Sequence, residues 1–311
     1  MKNFSSFIAV AVLLILFGYI SFNEQRHLSR QSTISDDHVA EMKYVVEDAP
    51  FPAISLDVPE NVNFAGEQVP MNIPDVRERL DKELQINTYF HSNTLFLIKR
   101  ANRWLPQIEK ILKRNDVPED FKYLPLIESN LLNDISPKNA VGYWQILKES
   151  GNEYGLEITN EVDERYDPLK ATEAACKYLK QAHSKFGNWT LVAASYNRGM
   201  GGIERAIENQ QVKTYYDLFL NEETSRYVFR ILAIKEIVEN PLKYGFRVNP
   251  KHLFQQETLK YIKVDETIKD LVTFARQHDT NYKLIKRHNP WLRDDKLTVK
   301  KNKQYLIGIP E

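Results

Sequence analysis

Residues 116–129 read DVPEDFKYLPLIES. Asp116 is a helix-capping residue type, Pro118 fits a first helical turn, and Glu119 completes a capping-box pattern, so a helix is predicted to start here. Phe121, Leu124, Glu128 and Leu131 follow at steps of three, four and three and would share one helix face. Three of the four are apolar, so Glu128 falls in the stripe expected to be buried, with Pro125, Leu126 and Ile127 around it. Desolvation penalises a charged carboxylate and raises its pKa. An acid that stays protonated near neutral pH is what proton donation requires. From the residues alone two readings stand: a catalytic acid, or a buried glutamate paired with a Lys or Arg.

Helical spacing extends both ways from this stretch. Upstream, Leu80, Leu84, Tyr89, Leu95, Ile98, Trp104, Ile108 and Leu112 recur at helix-like intervals. Downstream, Asp167 and Pro168 open a helix predicted over 169–186. Asn188 caps one over 191–196, and 224–238 (TSRYVFRILAIKEIV) is a further amphipathic helix. Alternating β-branched runs are few, so 75–245 reads as an all-α domain. After Pro250 the pattern changes: 259–264 (LKYIKV) alternates like a strand, 267–277 and 282–288 read as helices, and 304–309 (QYLIGI) as a second strand. The expected fold class is mainly α, with a small α+β (βααβ) module over 250–311, near the lower size limit for independent folding. Residues 25–74 carry Pro50, Pro52, Pro59, Pro70 and Pro74 without a sustained helical period and read as a linker, part of which can pack on the domain that follows.

Residues 7–22 (FIAVAVLLILFGYISF) are almost wholly apolar and follow Lys2. They predict a signal-anchor within 1–24, with a cleaved signal peptide as the alternative, and either one puts the rest of the chain outside the cytoplasm. Cys176 is the only cysteine of the 311 residues, which excludes an intramolecular disulfide, a cysteine-based zinc cluster and a lipoprotein anchor near the N-terminus. Lys+Arg and Asp+Glu both number 42, without the basic excess of a globally cationic nucleic-acid binder. Hydrophobic residues make up 42%, enough for a real core.

Two more polar clusters stand out. Residues 136–145 (SPKNAVGYWQ) combine a Ser-Pro turn, a glycine that permits close backbone approach, two aromatics and an amide. Tyr143 and Trp144 could form sugar-stacking walls or belong to the core. Residues 194–199 (ASYNRG), followed by Gly201 and Gly202, end a helix in a tight loop with accessible backbone.

Together with residues 123–129 (YLPLIES), 163–168 (DERYDP) and 223–227 (ETSRY), these clusters resemble, in order and spacing, the lysozyme-like catalytic domain of the soluble-lytic-transglycosylase superfamily, most closely the membrane-bound lytic transglycosylase D type. The likeness covers about residues 68 to 245. It implies a lysozyme-like α-helical domain in which Glu128 is the single catalytic acid/base. Ser136, Gln145, Tyr196 and Asn197 would position the sugar, and Tyr227 would lie near Glu128. No metal or organic cofactor is implied. Ser195 stands where the family usually has Ala, and Arg198 is bulkier than the common Ala; both are expected beside the cleft. Residues 250–311 resemble a diverged LysM domain that binds N-acetylglucosamine-containing glycans, with Asp265-Glu266-Thr267-Ile268 in place of the usual Gly-Asp-Thr-Leu and Asn289 matching the family's Asn. A structural cap on the catalytic domain is the alternative role. The implied activity is cleavage of peptidoglycan strands with a 1,6-anhydro end, in a bacterial cell envelope. The rivals are a hydrolytic lysozyme-like muramidase and a non-catalytic peptidoglycan-binding protein.

Overall fold

The computed structural model describes residues 54–311; the apolar run 7–22, and the linker up to residue 53, lie outside the described residues. From Leu56 onward the chain forms one compact unit. Helices α1 (Pro74–Tyr89) and α2 (His91–Arg114) are followed by a 3-10 turn (Glu119–Tyr123), α3 (Leu124–Ser129) and α4 (Lys148–Glu153). Then come α5 (Pro168–Phe186), α6 (Trp189–Arg198), α7 (Met200–Gln210) and α8 (Glu222–Glu239). Helix α8 buries Tyr227, Val228, Phe229, Ile231, Leu232, Ala233, Ile234 and Ile237. A helix apolar on nearly every side belongs at the centre of a bundle, and α8 packs against α1, α3 and α6. Among the described residues no helix is long and apolar enough to cross a membrane.

Asp167 caps α5 through Leu169 and Lys170 N–H, and Asn188 caps α6 through Leu191 N–H, as their positions predict. The stretch 116–129 departs from the single helix expected. Asp116 has a φ of +56° and contributes no cap, and the residues divide into the 3-10 turn and α3. Pro125 has no N–H to return to the Phe121 carbonyl, and Leu124 N–H takes that acceptor in the tighter 3-10 pattern. Asn130 and Leu131, both with positive φ, end α3. Phe121, Leu124 and Leu131 are buried all the same.

The last third of the 25–74 stretch packs on the domain that follows it. Phe64, Val69 and Met71 are core residues. The strands β1 (Asn63–Phe64) and β2 (Glu67–Gln68) form a hairpin over Ala65 and Gly66, both with positive φ, as a two-residue hairpin turn requires. Its Glu67 carboxylate accepts from Trp189 N–H (2.5 Å), Thr190 N–H (3.0 Å), Thr190 Oγ1 (2.7 Å) and Asn188 Nδ2 (2.9 Å). An anion on those orphan donors and on the positive end of the α6 dipole is the reason the hairpin docks there.

In the C-terminal module, β3 (Leu259–Val264) pairs antiparallel with β4 (Tyr305–Pro310), from Leu259↔Pro310 to Val264↔Tyr305. Between them lie α9 (Leu271–Gln277) and α10 (Tyr282–His288). Helix α9 starts four residues later than predicted because Asp270 caps Val272 and Thr273 N–H. Ahead of it, Ile268 is bridged to Leu297. Buried Asn289 donates to the Ile285 and Gly308 carbonyls and accepts from Gly308 N–H, pinning α10 to β4.

Candidate active site

Within Tyr123 to Ser129, Glu128 is the one residue that keeps solvent contact; the others are buried. The Tyr227 hydroxyl, from α8, donates to Glu128 Oε1. The peptide groups around the acid are held from two sides. Arg230, one turn beyond Tyr227, donates to the Ile127 carbonyl at 2.6 Å, and Arg100 on α2 donates to the Asn130 carbonyl at 2.6 Å. Burial pushes the Glu128 carboxyl up to about 7; the Tyr227 hydrogen bond and the Arg230 charge oppose that rise, and the Glu223 charge adds to it. The Arg230 guanidinium is thus spent on a carbonyl and does not pair with the acid, which sets Glu128 apart from a buried ion pair.

Ser129 Oγ donates to the Tyr143 carbonyl at 2.9 Å and joins α3 to the turn carrying Ser136 and Gln145. In that turn Ser136 Oγ accepts from Ala140 N–H (3.0 Å). Gln145 has a φ of +47° and donates through Nε2 to the Gly142 (2.9 Å) and Asp134 (3.1 Å) carbonyls. Gly142 has a φ of +79°, and a Cβ on it would lie 2.1 Å from the Arg165 carbonyl oxygen, so only glycine fits. Arg165 bonds Asp163 through Nε (3.0 Å) and Nη2 (2.7 Å), both side chains buried, and reaches the Asn139 and Ile146 carbonyls with Nη1.

The sugar-wall reading of Tyr143 and Trp144 is corrected: both are core. Trp144 Nε1 donates to Thr172 Oγ1 at 2.8 Å, and Tyr143 packs edge-on against Trp104. Ser195 is also in the core rather than beside the cleft. Its Oγ donates to the Val192 carbonyl, and the Ser195 carbonyl accepts from the Tyr178 hydroxyl. Arg198 is exposed.

Tyr196 donates to the Trp144 carbonyl at 2.7 Å; burial, with the Glu128 charge adding to it, raises its pKa and holds the phenol protonated. Asn197 donates to Glu223 Oε1 (2.9 Å) and accepts from Thr224 Oγ1 (2.7 Å), tying α6 to the start of α8. Glu128, Tyr196 and Tyr227 therefore converge. Gln145 and Tyr196 also line a largely apolar depression with Leu147, Ser150, Tyr154 and Tyr178. Ser136 lies at the far end of the turn, bonded to Ala140. The roles of Arg100, Arg165 and Arg230 were not read from the sequence. Two of them carry a signal: Arg230 lies three residues after Tyr227 on the same helix face, and Arg165 lies inside the DERYDP motif.

Residues 106–219 match the family model described as transglycosylase SLT domain, and residues 260–311 match the soluble lytic transglycosylase C-terminal LysM-like domain. Residues 106–219 thus carry the pattern of a transglycosylase SLT domain. The SLT match contains Glu128, Ser136, Gln145, Tyr196 and Asn197, and ends before Tyr227 and Arg230. The chain is 33% identical over 194 residues to membrane-bound lytic murein transglycosylase D of Escherichia coli strain K12, and equally to that of strain O6:H1. The alignment covers 60% of this chain and 42% of those relatives, so the chain matches well under half of their length. A solved structure of an inactive mutant of the lytic transglycosylase Slt from Pseudomonas aeruginosa overlaps 49% of this chain and 26% of that one, at 20% identity and a TM-score of 0.37.

Proposed function

We propose that this chain is a peptidoglycan lytic transglycosylase that uses Glu128 as its one acid/base. The observation that carries the reading is the state of that carboxyl: buried apart from one opening, raised to about 7 and held by a phenol instead of a cation. Such a group gives up and retakes a proton near neutral pH. Glycosidases that work with two carboxylates set them across the scissile bond. Here the nearby Glu223 is engaged by Asn197, and Glu128 does both proton transfers.

Glu128 protonates the bridging oxygen of the β-1,4 bond between N-acetylmuramic acid and N-acetylglucosamine. The N-acetyl group of the muramic residue stabilises the positive centre from within the substrate. The Glu128 carboxylate then takes the proton of the muramic C6 hydroxyl, whose oxygen closes on C1 as a 1,6-anhydro ring. Nucleophile and electrophile belong to one sugar, which gives the proximity advantage of an intramolecular reaction. Ser136, Gln145, Tyr196 and Asn197 position the strand, and Tyr227 orients the acid. The domain reading that goes with this function is a lysozyme-like transglycosylase domain over 75–245 and a LysM-like module over 250–311. The apolar run 7–22 would anchor the chain in the inner membrane with the rest in the periplasm, unless it is cleaved as a signal peptide.

Mass spectrometry of the ends released from purified sacculi tests the reading. Anhydro ends, lighter by one water than reducing ends, are expected; reducing ends would establish a hydrolytic muramidase, and no release a non-catalytic binder.

A further inference from the structure

The C-terminal module is fastened to the loop that braces the turn holding Ser136 and Gln145. Asp163 N–H donates to the Trp291 carbonyl and Arg293 N–H to the Glu161 carbonyl, both at 2.8 Å, around an antiparallel bridge of Val162 with Leu292. Val162 is buried in the same apolar cluster as Trp291, Leu292 and Leu297, so the module's core is completed by a residue of the SLT domain. The Glu161 carboxylate accepts from Thr298 N–H (2.7 Å) and Thr298 Oγ1 (3.1 Å). The Tyr305 hydroxyl reaches the Glu157 carboxylate at 3.1 Å, and the Arg293 guanidinium lies 3.8 Å over the Tyr166 ring. The connecting segment is fixed as well: Asn102 and Arg103 on α2 donate to the Phe254 (3.1 Å) and Gln255 (2.8 Å) carbonyls.

The other side of the same loop packs on the turn that holds Ser136 and Gln145. Arg165 reaches the Asn139 (3.3 Å) and Ile146 (3.2 Å) carbonyls, its own carbonyl fills the space left by the missing Cβ of Gly142, and Asn133 donates to the Tyr166 carbonyl at 3.1 Å. Two residues separate the bridge at Val162 from the brace at Arg165, and Asp163 serves both, through its N–H to Trp291 and its carboxylate to Arg165.

We infer that the module is a positioning element of the cleft: by clamping residues 161–163 it fixes Arg165, and through Arg165 the turn 136–146. This rests on the function proposed above for that turn. A module hung on a free linker shares no core with its neighbour and helps only on a polymer that reaches both sites. A module that completes its core with Val162 also acts on a substrate too short to touch it.

The test uses the full chain with Glu161→Ala and Val162→Ala combined, which loosens the clamp and leaves Glu128, Ser136 and Gln145 in place. Backbone hydrogen exchange across 139–146 is expected to accelerate about ten-fold or more, since local opening sets that rate. On a short, soluble, uncrosslinked glycan KM is expected to rise about ten-fold with kcat within about three-fold, because Tyr227 and Arg230 hold Glu128 from α8. The limb of the pH profile near 7 stays in place. Unchanged KM and unchanged exchange over 139–146, with faster exchange over 291–298, would overturn the inference. If the double variant does not fold, Val162→Ala alone gives the same readouts at smaller amplitude, and the conservative Val162→Ile rescues them. If the unaltered chain releases no product, the functional reading fails while the exchange result still decides the clamp.

Discussion

Glu128 and Asp163 are both carboxyl groups drawn out of water, and the fold gives them different partners. Asp163 faces Arg165 in a two-point contact, and the Nη1 of that guanidinium reaches the Asn139 and Ile146 carbonyls. Glu128 receives a phenol from Tyr227, while Arg230 is directed to the neighbouring Ile127 carbonyl. The first arrangement fixes a charge in place and makes the pair a structural pin. The second leaves the acid near the point where it exchanges its proton, at about 7. Burial alone does not distinguish a pin from a proton carrier; the nature and aim of the nearest donor does.

The largest effect should come from breaking the pin. Arg165→Met leaves Asp163 buried without its cation and should cost about 3–5 kcal/mol of stability, the usual penalty for a widowed buried charge. Denaturant unfolding measures it, and a cost below about 1 kcal/mol would mean that the pair is solvated and that the contrast with Glu128 is false.

Removing the other acid should act in the opposite direction. The folded-state pKa of Glu128 lies above the ordinary 4.5, so the native state binds this proton more tightly than the unfolded chain. Native stability is therefore lost as pH rises from about 4.5 to about 7, and that loss persists above. Glu128→Gln, neutral throughout, should be more stable than the unaltered chain by roughly 1–2 kcal/mol near pH 8, allowing for the partial exposure of the group, and by little near pH 4. Thermal unfolding at the two pH values checks this, and a difference independent of pH would contradict a titrating Glu128.

The smallest effect sharpens the role of Arg230. Arg230→Met removes a charge that opposes the rise of the Glu128 pKa, so the alkaline limb of the activity profile should move up by about 0.5–1 pH unit. Arg230→Lys keeps the charge and should move it less. Equal shifts in the two variants would mean that the Ile127 carbonyl contact, not the charge, is what matters.

Legibility in the sequence followed the range of the interaction. Asp167 and Asn188 each cap a helix by bonding N–H groups two or three residues ahead, so local spacing was enough to find them. Strand β3 was read with its bounds and β4 within one residue. The hairpin at residues 63–68 was missed because two-residue strands with few apolar positions carry no periodicity, and what docks it is Glu67 reaching Trp189 and Thr190, more than 120 residues away. Glu128 lies in a buried run, but Pro125 breaks the continuous helix that the apolar spacing implies. Tyr227, 99 residues from Glu128, came from resemblance to a family and not from any pattern in this chain. Arg165 lay in plain view inside DERYDP, yet its bonds to the carbonyls of Asn139 and Ile146 exist only once the turn has folded.

If one carboxyl performs both proton transfers, replacing it removes turnover altogether. Release of soluble muropeptides from purified sacculi by the unaltered chain and by Glu128→Gln, compared at equal concentration near pH 6 with both confirmed folded, tests it most directly. The amide has the shape of the acid and cannot cycle a proton, so a loss of at least about 1,000-fold is expected, within the usual range for removing a general acid. Release by Glu128→Gln within about ten-fold of the unaltered chain would contradict it.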